Sequence, residues 1–526
     1  MPARRCLRLA LCAALLFTRY LQAQISGAGP DYVVPHRFIV VYRNASIPGD
    51  AELRAEAAGA RLRRHDRLGI ATVQTLQRSA LLPSVRIAQS PAQDNQDDQA
   101  TMRLLAAQPG VEYVLHDRIV TAHRIRLRLE TGSLDPTFSA VSGPAAFDAY
   151  YNSPQGWAVR QAGGYGKNTP GGPAQGPWDT TTGQGVRIAI LDSGVDATHP
   201  DIAPNLGLNL SEVDPAVLPS VCDDGSPQDQ AGHGTWTASL AAAALGPGTG
   251  RVVGVAPSAT ILNIKVLQRM PAAIVGATYV ARCTAGDSSG LLSWVIQGID
   301  DAIANHADVI SMSLGATIDL STGDGAGIKA TFDRATYAAT QSGAVVIAAA
   351  GNSGYNLSNP RYLEIPAQSR GVLAVVAATN PDCMENTRTG AACVPGPPSL
   401  AYYSNYGAPL NAVAAPGGSY PSGPDMGVSG WVRGACSSGL SNTADGIPSD
   451  TGHSFGCFDF GHAAYVQAIG TSASAPLVAG AAALLRAAHP LWNATKIISV
   501  LRSTAIAPTP ALPIPQIDTA TALKQP

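Results

Sequence analysis

From Gly185 onward the chain alternates runs that are apolar almost throughout with stretches that read as helices. The runs are Val186–Leu191, Val309–Leu314, Ala344–Ala350 and Val372–Ala378, and Leu291–Ala304 and Thr331–Ser342 lie between them as helices. A strand with one wet face alternates apolar and polar residues; these runs keep no polar side for water. They predict strands buried on both faces, the condition of a parallel sheet with helices above and below. In such a sheet the reactive groups belong outside the carboxyl ends of the strands.

The chain has 526 residues, of which 45% are hydrophobic and 14% charged, enough for a large core and too apolar for disorder to dominate. That length predicts two domains with short extensions, since one domain takes roughly 100–200 residues. A net charge of −2 leaves no footprint for nucleic acid or an anionic membrane. The 54 glycines and 39 prolines predict many tight turns and long loops.

Residues 1–23 read as a secretory signal: Arg4, Arg5 and Arg8, then apolar Leu9 to Phe17, then the small-residue site Leu21-Gln22-Ala23. No later apolar run is long enough to span a bilayer. A secreted protein, free of a membrane anchor, is the expectation. Six cysteines then remain, and an even number in an exported chain favours disulfides, with fifteen pairings open. The expected set is Cys383–Cys393 and Cys436–Cys457, each closing a Gly/Pro-rich loop, with Cys222–Cys283 left over. A metal site is the weaker reading, because no close Cys-x-x-Cys and no histidine cluster occurs. Asn44, Asn209, Asn356 and Asn493 each begin an Asn-x-Ser/Thr acceptor.

Residues 31–123 predict a small unit of their own. Arg37–Tyr42, Gly69–Thr75 and Val111–Leu115 read as strands, Ala51–Ala60 and Thr101–Gln108 as helices, and Ser90–Asp98 as a polar loop. A Gly/Ser/Pro/Asn-rich stretch up to about Trp178 marks a domain boundary.

Three strings then carry the chemistry: Ile190-Leu191-Asp192-Ser193-Gly194, Gly232-His233-Gly234-Thr235 and Gly470-Thr471-Ser472-Ala473-Ser474-Ala475-Pro476. Asp192 closes a strand. It would orient one imidazole nitrogen of His233, which as general base takes the proton of Ser472 and returns it to the leaving amine. Ser472 begins a helix, so its peptide N–H suits a developing oxyanion, and Pro476 is expected in the first turn, where it is tolerated. Asn352, at the end of Ala344–Ala350, supplies a second oxyanion donor. Taken singly, each has a blander reading as a turn aspartate, an exposed histidine, an N-cap serine or a turn asparagine. The order Asp, His, Ser with all frames present outweighs those.

With these strings the chain resembles the subtilisin-like serine endopeptidases, the subtilase family, over roughly Gly185 to Ala505. His199-Pro200-Asp201, Gly254-Val255-Ala256-Pro257 and Ser313-Leu314-Gly315 add to the likeness. The resemblance implies a three-layer αβα fold with a mainly parallel sheet over 135–520. It implies a preceding inhibitor-like α+β propeptide over 24–130, carried by Arg37–Tyr42 and Gly110–Asp117. It implies substrate contacts at Ser313, Leu314 and Gly315, protein or peptide substrates, a monomer, no cofactor for catalysis, and self-removal of the propeptide between His123 and Asp135. A structural calcium near Asp201 is implied too, but the loop Leu245–Gly250 offers no Asn or Asp side chain, so no metal ligand is assigned. The insertions Gln268–Val280 and Gly417–Ala468 are expected to flank the cleft. Two rivals use the same scaffold: a transpeptidase or macrocyclase, and an inactive secreted binding protein.

Overall fold

A computed structural model describes residues 33–75, 91–122, 156–167, 175–245, 252–272, 274, 282–283, 286–320, 324–379, 398–407, 410–418, 431–437 and 465–526. The signal segment 1–23, the boundary stretch 123–155 and Cys383, Cys393 and Cys457 lie outside the described residues.

The N-terminal unit runs β1 (Val33–Tyr42), α1 (Ala51–Ala57), β2 (Ala60–His65), β3 (Ile70–Thr75), α2 (Pro91–Ala106) and β4 (Val111–Ala122). Two of these depart from expectation. The stretch expected as a polar loop, Ser90–Asp98, is helical from Pro91. Its residues are too polar to show an apolar period, and the helix is anchored instead by buried Leu105 and by Asp98, which accepts from the His36 N–H at 3.1 Å. Strand β2 was not foreseen because Arg61, Arg63 and Arg64 interrupt any apolar run; it pairs with β3 from Ala60↔Thr75 to His65↔Ile70.

The second unit follows with α3 (Trp157–Gln161), β5 (Arg187–Asp192), β6 (Leu206–Ser211), α4 (His233–Ala242), β7 (Thr260–Lys265), β8 (Leu267–Met270), β9 (Asp287–Leu291), α5 (Leu292–Ala304), β10 (Val309–Met312) and β11 (Leu314–Asp319). Then come α6 (Gly325–Gln341), β12 (Val345–Ala349), β13 (Tyr362–Ile365), β14 (Val372–Thr379), β15 (Ser399–Leu400), β16 (Ala412–Pro416), β17 (Val432–Ala435), β18 (Tyr465–Ala468), α7 (Thr471–Ala488), α8 (Ala494–Ser503) and α9 (Thr519–Leu523).

Its central sheet has the order β15-β14-β12-β10-β5-β7-β6, with β16 beside β14. Every pairing in it is parallel except β14–β15. Successive residues of one strand enter different cores: Ile188 and Ile190 join α4 and α7 on one side, Ala189 and Leu191 join α5 and α6 on the other. This is the three-layer αβα arrangement with a mainly parallel sheet, and the pattern of apolar runs announced it. Fully burying one such isoleucine contributes about 1.5–3 kcal/mol. Small residues let the layers close: a methyl on Gly480 of α7 would sit 2.8 Å from the Ala241 carbonyl oxygen of α4.

A disulfide joins Cys222 to Cys283 across 61 residues, as expected. Closing a loop of that length removes about 4 kcal/mol of entropy from the unfolded chain in the chain-entropy model. Cys436 is disulfide-bonded as well.

The two units share one sheet. Strand β4 pairs with β1 through its first half. Its second half enters the second unit, lying antiparallel to β9 (Ile119↔Leu291, Val120↔Gly290, Thr121↔Ser289) and to β11 (Leu314↔Ala122, Gly315↔Thr121). Helix α5 has no side-chain cap of its own; Asp117 of β4 accepts from the Ser293 N–H at 3.1 Å and from Arg37 Nε at 2.7 Å. Arg118 reaches Asp324, the residue before α6, at 2.9 Å. No helix among the described residues is long and apolar enough to cross a membrane.

Candidate active site

Asp192 is the last residue of β5 and is buried. One carboxylate oxygen accepts from the Ser193 N–H and faces His233 Nδ1, each at 2.7 Å. The other accepts from the Thr237 hydroxyl at 3.1 Å. A carboxylate against Nδ1 makes that nitrogen the donor, so the neutral ring carries its lone pair on Nε2.

His233 opens α4, one residue after Gly232, whose φ of 86° suits glycine alone. Gly234 is required for a different reason. A methyl there would lie 2.0 Å from the Gly194 carbonyl oxygen, so the strand bearing Asp192 and the helix bearing His233 touch through bare backbone. Asp229, which the sequence reading passed over, ties this corner together. Its carboxylate accepts from Ser193 Oγ (2.9 Å), Ala231 N (3.0 Å), Gly232 N (2.7 Å), Thr235 N (2.8 Å) and Thr235 Oγ1 (2.7 Å). Burial pushes this carboxyl up to about 6, against the pull of the Thr235 donors. The available signal was an acid four residues before His233.

Ser472 lies in the first turn of α7, whose N–H groups have no intrahelical acceptor. Its Oγ donates to the Ser313 carbonyl at 3.3 Å. His233 Nε2 is buried and makes no hydrogen bond among the described residues. The aspartate–histidine contact is therefore formed, and the histidine–serine contact is not. Such bonds are often long or misaligned before substrate arrives and tighten in the complex.

Pro476 stands five residues after Thr471, past the first turn in which it was expected. Lacking an N–H, it leaves the Ser472 carbonyl without its helical donor. Ser313 Oγ supplies one at 3.0 Å, so the proline and the Ser313 hydroxyl act as a matched pair.

Asn352 follows β12, and its carbonyl oxygen accepts from Thr471 N at 2.9 Å and Thr471 Oγ1 at 2.8 Å. Because a peptide N–H can only donate, the oxygen is the atom facing Thr471, and Nδ2 remains the donor end. Thr471 was not singled out in the sequence, where only its neighbour Ser472 draws notice. Of the expected substrate contacts, Ser313 joins Ser472, while Leu314 and Gly315 hold the end of β4.

No cluster of His, Cys, Asp or Glu suited to a metal ion occurs among the described residues. Asp201, matched to a calcium position by resemblance, faces donors instead: Tyr465 Oη at 3.0 Å and Val252 N at 3.3 Å. Calcium takes six to eight oxygen acceptors, and O–H and N–H groups pointing at the same carboxylate do not suit it.

An acid–imidazole pair and a helix-borne serine at the carboxyl ends of a parallel sheet define a protein built like the serine hydrolases of the subtilisin fold. The family model described as "Subtilase family" matches residues 183–524. The chain belongs to the subtilase family. It is similar to subtilisin NAT of Bacillus subtilis subsp. natto, 33% identical over 326 residues, 62% of this chain and 61% of that protein. It thus spans about three fifths of the length of that relative. It is also similar to thermitase of Thermoactinomyces vulgaris, 33% identical over 285 residues, 52% of this chain and 86% of that protein. Among solved structures, fervidolysin from Fervidobacterium pennivorans shares the fold at a TM-score of 0.57 and 20% identity, over 94% of this chain and 61% of that one.

Proposed function

We propose that this chain is the exported precursor of a serine endopeptidase, active as a monomer, in which the N-terminal unit fills its own cleft until cut away. The observation that carries the reading is strand β4, which runs as a third strand between β9 and β11 and ends at Ala122, opposite Leu314. Leu314, opposite Ala122, follows directly on Ser313, whose carbonyl accepts from Ser472. An extended peptide laid there brings its carbonyl to the serine.

The Ser472 side chain turns from Ser313 to His233 Nε2 and gives it the hydroxyl proton as Oγ attacks the carbonyl carbon. Asp192 stabilises the imidazolium, and Asn352 Nδ2 with the Ser472 N–H holds the oxyanion. The C–N bond breaks as the imidazolium protonates the leaving amine. Water then attacks the acyl-enzyme, delivering its proton to His233, and Oγ regains a proton as the acid leaves. These steps run on side chains and backbone alone. The bond to be cut is expected between His123 and Asp135, just beyond the end of β4.

Expression of the wild type beside Ser472→Ala tests this. The wild type should yield a mature chain beginning between Arg124 and Asp135 and label with a fluorophosphonate. The variant should stay full-length and unlabelled; maturation of the purified variant on its own would refute self-cleavage.

A further inference from the structure

The two carboxylate oxygens of Asp192 are held in different ways. Oδ1 takes two N–H donors, the Ser193 peptide and His233 Nδ1, each at 2.7 Å. Oδ2 is buried with it and, among the described residues, accepts from Thr237 Oγ1 alone, at 3.1 Å. Thr237 lies four residues after His233 on α4. Residues four apart share a helix face, so α4 presents one donor to each oxygen of the carboxylate that closes β5.

The Thr237 hydroxyl has a competing acceptor, the Gly234 carbonyl of its own helix, also at 3.1 Å. An ionised carboxylate and a carbonyl can only accept, so the single hydroxyl proton goes to one of them. Charge makes the carboxylate the stronger acceptor, and a buried Oδ2 left without a donor is the costlier arrangement. The proton therefore points at Asp192. Other charges near this corner are already engaged. Lys265, opposite Asp192 in the β5–β7 ladder, places its ammonium 2.8 Å from Asp223. Asp229 reaches the corner through Ser193 Oγ and is otherwise ringed by N–H donors of its own loop and α4.

We propose that Thr237 is a positioning residue for the triad of this chain: its hydroxyl pins Asp192 Oδ2, which keeps Oδ1 in line with His233 Nδ1. This rests on the peptidase reading above. Pinned at both oxygens, the carboxylate cannot rotate about its bond to Cβ and drag the imidazole from Ser472. The same bond draws carboxylate charge away from Nδ1, so the imidazolium gives its proton up more readily to the leaving amine.

The test compares mature wild type with Thr237→Val, Thr237→Ala and Thr237→Ser on one peptide anilide across pH. Thr237→Val keeps the shape and removes the hydroxyl. It should lower kcat roughly tenfold and leave KM unchanged, because a buried acceptor on the enzyme loses its donor. The acid limb of its kcat/KM profile should move to higher pH by roughly half a unit, since a carboxylate with one donor fewer holds the imidazolium more firmly. Thr237→Ser restores the donor and should reverse both changes. If the valine variant does not fold, the smaller Thr237→Ala should show the same two changes. Full activity without the hydroxyl overturns the inference. So does a loss that leaves the acid limb in place or that serine does not reverse, because packing alone would explain it. Fluorophosphonate labelling separates the two levels. A labelled, active wild type matched by its valine variant sinks this inference alone, whereas an unlabelled, inactive wild type sinks the peptidase reading beneath it.

Discussion

Ile190 in the central sheet and Arg37 on the docked N-terminal sheet are both largely buried against helices of the second unit, by opposite means. Ile190 has apolar neighbours on every side and is held by area removed from water, which is indifferent to orientation. Arg37 is held by direction and charge: its Nε lies 2.7 Å from Asp117, and a second guanidinium nitrogen donates to Ser293 Oγ at 3.0 Å. The contrast extends along the contact. Arg67–Asp300, Arg63–Glu212, Arg118–Asp324 and Arg334–Glu112 all bridge the two units. The central sheet is built to stay together. The contact between units adds matched charged partners to backbone pairing and to an apolar seam in which Ile39, Val41 and Leu115 join Leu292 and Phe332.

The largest effect that sharpens this contrast should come from Asp117. Replacing it by alanine strips the N-terminus of α5 of its acceptor and leaves the Arg37 charge largely buried without its carboxylate, which costs about 3–5 kcal/mol. In a Ser472→Ala background, hydrogen exchange should show β1–β4 deprotected by that amount while β5, β10 and β12 are unchanged. Uniform loss of protection would mean that the two units are one cooperative block. Next is Asn352→Ala, which acts on chemistry and leaves docking alone. The mature variant should lose about 10²–10³ in kcat, the loss recorded for the matching asparagine of subtilisin. Exchange protection of β1–β4 in the precursor should not move.

How much of this was legible in the sequence follows the same division. The central strands could be read because burial on both faces writes itself as unbroken apolar runs. Asp192, His233 and Ser472 could be read because their glycine and alanine neighbours are forced by backbone contact, as at Gly234. What escaped was whatever depends on a partner elsewhere in the chain. The strand expected as Val111–Leu115 extends to Ala122, because its far half is satisfied by β9 and β11. Thr237 and Thr471 act through hydrogen bonds to residues 45 and 119 positions away, and no local pattern encodes those; Asp229 binds mostly its own loop, but its reach to Ser193, 36 positions away, is equally hidden. Pro476 was misplaced for a related reason: its carbonyl partner is repaid by Ser313, on another strand.

A smaller effect lies in the pH dependence of the contact. Burial, together with a hydrogen bond to Asp301 and its like charge, raises the Glu212 carboxyl to about 8, while Arg63 pulls it down. The folded chain therefore holds a proton that the unfolded chain releases above pH about 4.5. Stability from this group is fully present below that pH, falls as the pH rises toward 8, and is flat above. Glu212→Gln keeps an uncharged hydrogen-bonding side chain beside Asp301 and should flatten the thermal midpoint of the Ser472→Ala precursor across that window. An unchanged slope would assign the titration to other groups.

The smallest effect belongs to Arg67, whose side chain is 54% exposed where it meets Asp300 at 3.1 Å. A pair so open to water is worth about 0–1 kcal/mol and is screened by salt. Arg67→Ala should lower protection of β1–β4 by no more than that, and the difference should vanish in about 1 M salt, where the screening length is about 3 Å. The Asp117→Ala loss should survive the same salt, because its partners are shielded from the ions. If both losses faded together, the Asp117 cluster would be behaving as a surface pair, and the division drawn between a permanent core and a partner-dependent contact would need redrawing around solvent access alone.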